Sequence, residues 1–285
     1  MTIKITSLTK LYAVIGDPVE HSLSPVMQNI AFQSLNLDGV FLAFRVESKS
    51  LKSVLDGIRN LDIPGFNVTI PHKVAVMQYL DEVDANAKAI GAVNTVVNRR
   101  GKLVGYNTDG VAAFTVLKEI SSDPTGKKIV LLGAGGAAKA LAFNIASVTK
   151  RFVIVNRTES SATTLASSLL ENFKNQDIVG KKLTTEILGE ELQDTDILIN
   201  ATSVGMYPHI DETIVDRTLI HAGMTVFDIV YNPLHTMLLS EASIAGAKVI
   251  TGVKMLVYQG ALAFEIWTGR KPPVELMLKG LMKVI

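Results

Sequence analysis

Lys73 and Asp109 are an ammonium and a carboxylate set among neutral hydrogen-bonding residues in a chain that has no cysteine. Lys73 ends the stretch GFNVTIPHK, in which Asn67 and Thr69 share one face of an extended chain while Val68 and Ile70 take the core-facing side. Asn94 ends an apolar strand in GAVNT, and Asp109 lies in YNTDG. One cation, one anion and several neutral groups suit a small polyhydroxylated substrate, and the charged pair can exchange a proton with an alcohol oxygen. Taken singly, each has a plainer reading: Asn and Thr as turn formers, Lys73 as a surface charge, Asp109 as a helix cap. HSLSP adds Ser22 and Ser24 at a loop-to-helix junction, suited to holding a carboxylate with hydroxyls and backbone N–H groups. Ser24 before Pro25 also reads as an N-cap with proline in the first helical position.

A second set of residues points to a dinucleotide. In VLLGAGGAAKA an apolar strand runs into Gly133, Ala134, Gly135, Gly136, Ala137 and Ala138, a GxGxxA pattern at the mouth of a helix. Glycines there let the backbone approach a pyrophosphate, which the first N–H groups of the helix favour. Tight packing of a strand-to-helix turn is the alternative. The next strand ends in Asn156, Arg157 and Thr158 rather than in the acidic residue that would bind the ribose hydroxyls of NAD. A guanidinium pairs with a 2′-phosphate, so the expected cofactor is NADP. NATSVGMYP and VFDIVYNP follow apolar strands, which puts Thr202, Ser203, Gly205, Met206, Ile229 and Tyr231 at carboxyl ends where parallel sheets bind ligands.

The elements that must position these residues are short apolar runs alternating with stretches of helical period, the pattern of parallel sheets built from crossover units. Two β-rich runs around Arg99, Arg100 and Gly101 read as a hairpin. From GKKIVLLG onward the strand, turn and helix series restarts. The expected fold is α/β with two domains facing a cleft. An N-terminal α/β substrate domain spans 1–105, with a mostly parallel sheet, and a Rossmann-type NADP-binding domain spans 106–251. The helical tail 252–285 is free to complete either, with the first as the assignment made here. A chain of 285 residues is long enough for two cores. Lys plus Arg total 28 against 27 for Asp plus Glu, 28 − 27 = +1, without a basic stripe, which argues against nucleic acid and acidic membrane surfaces as partners. No apolar run approaches membrane-spanning length, and MTIKITSLTK lacks the apolar core of a secretory signal. With no cysteine, a reducing, cytoplasmic setting is expected.

HSLSP, NVTIPHK, GAVNT, NTDG, GAGGAA, NRT, NATSVGM and YNP occur in this order, and the chain resembles shikimate dehydrogenases from near residue 12 through the tail. The resemblance implies NADPH-dependent reduction of 3-dehydroshikimate to shikimate, in aromatic amino-acid and chorismate biosynthesis. It implies that Ser22 and Ser24 hold the substrate carboxylate. It further implies that Asn67, Thr69, Asn94, Asp109 and Gln259 contact ring hydroxyls, and that Lys73 and Asp109 are the catalytic pair. Gln259 sits in GVKMLVYQG, which matches a family segment beginning at Gly252 and is assigned through that match alone. Two departures stand out. Ile229 replaces the methionine that many members place beside the nicotinamide. The run ESSA after NRT lacks the extra basic residue some members place near the 2′-phosphate.

The competing readings differ in what they require. A short-chain dehydrogenase needs lysine four residues after a tyrosine, and none of the six tyrosines has one. A zinc enzyme needs clustered ligands, whereas the five histidines are scattered and no metal site is expected. A quinate/shikimate dehydrogenase using NAD shares most of the site, and Arg157 argues against it. A non-enzymatic NADP-sensing module would have no use for Lys73 with Asp109. The expected partner is the small-molecule substrate; a homodimer is left open.

Overall fold

The computed structural model describes residues 5–120 and 122–285, so the first four residues of the expected substrate domain lie outside the described residues. The chain divides into two compact units. One runs through Asp109 and includes Leu256–Val284; the other is Gly110–Met255.

The first unit opens with β1 (Lys10–Gly16), α1 (Ser24–Ser34), β2 (Gly39–Arg45) and α2 (Leu51–Asn60). It continues with β3 (Gly65–Val68), α3 (His72–Ala75), β4 (Glu82–Val83), α4 (Ala85–Ile90), β5 (Thr95–Arg99) and β6 (Lys102–Tyr106). Its sheet has the order β2-β1-β3-β5-β6-β4. β1 pairs in parallel with β2 and β3, and β4 with β6, while β5 runs antiparallel to both neighbours. β1 is buried from Tyr12 to Gly16, as a strand covered on both faces must be. The turn between β5 and β6 has φ 57° at Arg100 and 87° at Gly101, the mirror-type hairpin that matches strand twist. Leu51 and Leu55 of α2 pack on Ile15, Phe66, Val96 and Leu103 of the sheet. Burying each such side chain contributes about 1.5–3 kcal/mol.

Three local expectations are corrected. The strand in GFNVTI stops at Val68, and Ile70 is 55% exposed rather than core-facing. Thr69 donates its N–H to Ile15 and accepts from His72 N–H, so the backbone turns just before Pro71, which has no N–H to extend a ladder. Asn94 does not end a strand; it immediately precedes β5, and its N–H bonds the Tyr106 carbonyl. Ser24 is the first helical residue of α1 and does not cap it; Leu23 holds the capping position with no side-chain hydrogen bond.

α5 (Asp109–Glu119) leads into the second unit. There β7 (Lys128–Leu132), α6 (Gly136–Ile145), β8 (Arg151–Asn156), α7 (Glu159–Asn172), β9 (Ile178–Lys182) and α8 (Thr185–Glu191) follow. β10 (Ile197–Asn200), β11 (Thr225–Asp228), α9 (Met237–Ile244) and β12 (Lys248–Ile250) complete it. The sheet order is β12-β11-β10-β7-β8-β9 and every pairing is parallel. The order reverses at β7, which makes the carboxyl end of that strand the topological switch point where doubly wound sheets bind ligands. α10 (Gly252–Thr268) and α11 (Val274–Leu281) end the chain. In the first unit, Trp267 of α10 donates its indole N–H to the Val96 carbonyl at 2.9 Å, and its ring fills the space a Cβ on Gly65 would need. No helix among the described residues is long and apolar enough to cross a membrane.

At the amino end of the second sheet, Glu191 is 4% exposed and meets Lys181 at 2.6 Å, Lys128 at 3.0 Å and Arg151 at 3.3 Å. Burial pushes its carboxyl upward, but the hydrogen bonds and charges of Lys181 and Lys128 outweigh this and lower it to about 2. A depressed carboxyl contributes stability that is complete above its unfolded value of 4.5 and is lost as pH falls toward 2. Glu191→Gln is expected to destabilise by about 2 kcal/mol at pH 7, roughly 4–8 °C in Tm. Thermal denaturation should show the gap to wild type closing between pH 4 and pH 2.

Candidate active site

In the first unit, Asp109 is 4% exposed, and a buried carboxylate is costly unless it is paired and hydrogen-bonded. Both oxygens are served: Lys73 Nζ donates to Oδ2 at 2.6 Å and Asn94 Nδ2 donates to Oδ1 at 2.8 Å. Its backbone N–H donates to Asn107 Oδ1 at 3.0 Å, which fixes the start of α5. Lys73 lies on α3, whose position is set by the Lys73 carbonyl accepting from Val93 N–H at 2.8 Å. The pair is thus held from two directions at short range.

Asn94 is the hub. Its Nδ2 also donates to Thr108 Oγ1, and its Oδ1 accepts from Thr108 N–H and from Thr95 Oγ1. Asn67, set opposite Thr95 by the antiparallel register of β3 and β5, donates Nδ2 to the Asn94 carbonyl at 3.0 Å and to Thr95 Oγ1 at 3.1 Å. Asn67 Oδ1 is buried and accepts from none of the described residues. With both amide hydrogens committed, the side chain cannot flip to hide this oxygen, which leaves a fixed acceptor for a hydroxyl donor. Lys73, Asn67, Asn94 and Asp109 therefore form one connected network. Ser22, Ser24, Thr69 and Gln259 are not hydrogen-bonded to it. Ser22 Oγ accepts the Ser24 N–H at 3.3 Å at the start of α1, and Gln259 Nε2 donates to the Leu256 carbonyl of its own helix.

In the second unit, the Gly-rich turn follows β7. Gly133 has φ +108°, which a side chain would strain, and an added Cβ would lie 2.9 Å from the Ala201 carbonyl. Ala134 is half-buried, Gly135 caps α6 with open space above it, and Gly136 and Ala137 form its first turn. This cradle fits the backbone approach of a pyrophosphate. β8 ends at Asn156, whose Nδ2 donates to the Thr158 carbonyl at 3.0 Å; Arg157 and Thr158 are exposed and lead into α7. Among the described residues Arg157 makes no ion pair, which leaves its guanidinium open to an anionic ligand.

The Thr202–Met206 and Ile229–Tyr231 loops are organised by a group absent from the expected set. Asp228, the last residue of β11, is fully buried. It accepts from Thr236 Oγ1 at 2.7 Å, from Asn200 Nδ2 at 3.0 Å and from Val230 N–H at 3.0 Å. Asn200 Oδ1 in turn accepts from the N–H and hydroxyl of Thr202, while the Thr202 hydroxyl accepts from Val204 N–H. Ser203 is exposed, Gly205 has φ +83°, and Met206 closes the turn with its N–H on the Ser203 carbonyl. Ile229 N–H bonds the Asn200 carbonyl, and Gly252 packs so closely on the Ile229 carbonyl that a Cβ would come within 2.3 Å of it.

Family models match most of the chain in three consecutive pieces. The shikimate dehydrogenase substrate binding domain matches residues 14–96, shikimate/quinate 5-dehydrogenase matches 115–233, and the shikimate 5′-dehydrogenase C-terminal domain matches 252–282. The NADP(+) shikimate dehydrogenases of Bacillus mycoides and Methanocaldococcus jannaschii are each 47% identical to it, covering 97% and 99% of this chain and 99% of theirs. The chain belongs to the shikimate dehydrogenase family. A crystal structure of a shikimate dehydrogenase in complex with NADP+ superimposes with a TM-score of 0.92 at 46% identity, over 99% of this chain and 98% of the other.

Within this member of the family, sequence reasoning missed Thr95, Thr108, Asn200 and Asp228. All four lie inside or beside the quoted motifs, in GAVNT, NTDG, NATSVGM and VFDIVYNP. Asn200 and Asp228 carry a signal, a polar residue at the buried end of an apolar strand, whereas Thr95 and Thr108 carry none. Burial pushes the Asp228 carboxyl up to about 6, against the lowering effect of the Thr236, Val230 and Asn200 donors. Because the folded value lies above the unfolded 3.8, the native state keeps a proton the unfolded chain has released, so stability falls as pH rises from about 4 through 6. Asp228→Asn removes this titration. Over that window its Tm relative to wild type should rise, by the equivalent of about 2–3 kcal/mol; thermal scans at pH 4, 5, 6 and 7 measure it.

Proposed function

We propose that the chain interconverts 3-dehydroshikimate and shikimate with NADP(H), with Lys73 and Asp109 as the pair that handles the proton. NADP is the cofactor. Residues 1–105 with 252–285 are assigned as the substrate domain and 106–251 as the NADP-binding domain, acting in a cytoplasmic setting.

The observation that carries this reading is the 2.6 Å contact between Lys73 Nζ and Asp109 Oδ2, with the other carboxylate oxygen taken by Asn94. NADP(H), once bound, would supply or accept the hydride. In the direction of reduction the carbonyl oxygen gains a proton from the Lys73 ammonium. Lys73 is left as a neutral amine that Asp109 Oδ2 keeps in place, and a proton from solvent restores the ammonium. In oxidation the same pair accepts the hydroxyl proton. Asn67 Oδ1 accepts a ring hydroxyl, which completes its hydrogen bonding; Thr69, Asn94 and Gln259 flank the ring. Ser22 and Ser24 bind the carboxylate through hydroxyls and N–H groups at the start of α1. Gly133 to Ala137 receive the pyrophosphate and Asn156, Arg157 and Thr158 the adenosine 2′-phosphate. Thr202, Ser203, Gly205, Met206, Ile229, Tyr231 and Gly252 surround the nicotinamide side.

Spectrophotometric assay of shikimate with NADP+ is expected to show saturable reduction of the cofactor, with NAD+ and quinate both poorer. Lys73→Ala should lower kcat roughly a hundredfold or more while KM for shikimate changes little, because the ammonium acts on charge that develops in the transition state. Near-normal turnover in that variant would refute the assignment.

A further inference from the structure

The second unit carries a cation that no motif contains. β8 and β9 pair in parallel with Asn156 opposite Lys182, and Leu183 N–H bonds the Asn156 carbonyl at 3.0 Å. Lys182 is therefore beside the end of β8, one strand spacing of about 4.8 Å away, although 25 residues lie between Asn156 and Lys182 in the chain.

The direction of its side chain follows from its neighbours. Lys181 points to the α8 side, where it pairs with Glu191 at 2.6 Å. Alternation sends Lys182 to the opposite face, which is that of Gly180. Gly180 faces α7 so closely that a Cβ would lie 2.4 Å from the Ala162 carbonyl. Two residues further along β9, about 6.6 Å toward the carboxyl end, Lys182 faces the beginning of α7, where Arg157 and Thr158 lead in. Lys182 and Arg157 are both exposed, and neither side chain has an ion pair or hydrogen bond among the described residues. Glu159, the first residue of α7, pairs with neither. The register thus puts two exposed cations at the same corner of the sheet, where one dianion could take both.

We propose that Lys182 is the second cation of the 2′-phosphate site, supplying from β9 the charge that the run ESSA after Arg157 does not, and that it sets the preference for NADP(H) over NAD(H). This deepens the cofactor reading and rests on it. Arg157 offers a planar fork and Lys182 a compact point charge, so together they bind a phosphate dianion but give nothing to the ribose hydroxyls of NAD.

The test is Lys182→Ala, a substitution at an exposed side chain with no internal partner, assayed with both cofactors. KM for NADP+ is expected to rise roughly tenfold, with kcat, KM for shikimate and KM for NAD+ unchanged, and Lys182→Arg should restore most of the preference. Raising the salt concentration should weaken NADP+ binding less in the alanine variant than in wild type. Equal effects on NADP+ and NAD+, or none on either, in an active wild type overturn the role of Lys182 and leave the cofactor reading standing. A wild type that binds no NADP+ by calorimetry removes both.

Discussion

The first unit depends on one constraint: a carboxylate has been placed where water cannot solvate it. Asp109 is accommodated there because Lys73 and Asn94 each donate to one of its oxygens. Each partner needs support of its own. Lys73 needs the bond between its carbonyl and Val93 N–H, Asn94 needs Thr95 and Thr108, and Thr95 needs the β3–β5 register that also delivers Asn67. The antiparallel strand β5 is what makes this arrangement possible. Its reversal brings the start of one strand, Thr95, beside the end of another, Asn67, and beside Tyr106 at the end of β6. An all-parallel sheet would have put strand starts at the opposite edge from strand ends.

The second unit answers the same constraint differently at its two edges. At the amino end Glu191 is surrounded by Lys128, Arg151 and Lys181, and the cations hold its carboxyl low. At the carboxyl end Asp228 is surrounded by neutral donors only, and burial lifts its carboxyl. The amino edge carries ion pairs between strands and α8, which serve stability. The carboxyl edge carries Gly133, Asn156, Asn200 and Asp228, whose bonds shape the turns that leave β7, β8, β10 and β11. A charged cage at that second edge would compete with a phosphate-bearing ligand for the same cations. Neutral donors hold the loops without doing so.

What could be read from sequence was whatever a few adjacent residues decide. The turn at Arg100 and Gly101, the glycine at φ +108° and the helix behind it, and the alternation of strands with helices are local matters of backbone freedom and period. Ile70 was misread because period-2 alternation was carried past the point where Thr69 leaves the ladder, and Asn94 because an apolar run looked like a strand when the strand begins after it. Thr95 and Thr108 gave no signal because threonine is an ordinary β residue until its hydroxyl has a buried partner. Lys182 was invisible for a stronger reason: its neighbourhood to Asn156 exists only through the pairing of β8 with β9. A site assembled across strands is legible only once register is known.

The same distinction bears on which polar atoms are left over. Among the described residues, the first unit has three buried side-chain atoms without a partner: Gln28 Oε1, Asn67 Oδ1 and His72 Nδ1. His72 bonds the Val46 carbonyl through Nε2 at 2.6 Å, and Gln28 Nε2 bonds the Gly260 carbonyl at 2.9 Å. In both, a single bond to a carbonyl already anchors the side chain in helix or loop packing, and the orphan atom lies outside the Asp109 network. Asn67 differs because its amide spends both hydrogens inside that network, so its oxygen is oriented by the same bonds that orient Asn94 and, through it, Asp109. An unsatisfied buried acceptor costs about 1–3 kcal/mol. A hydroxyl donor that reached Asn67 Oδ1 would recover that free energy, and it would have to meet an oxygen whose direction the network has already fixed.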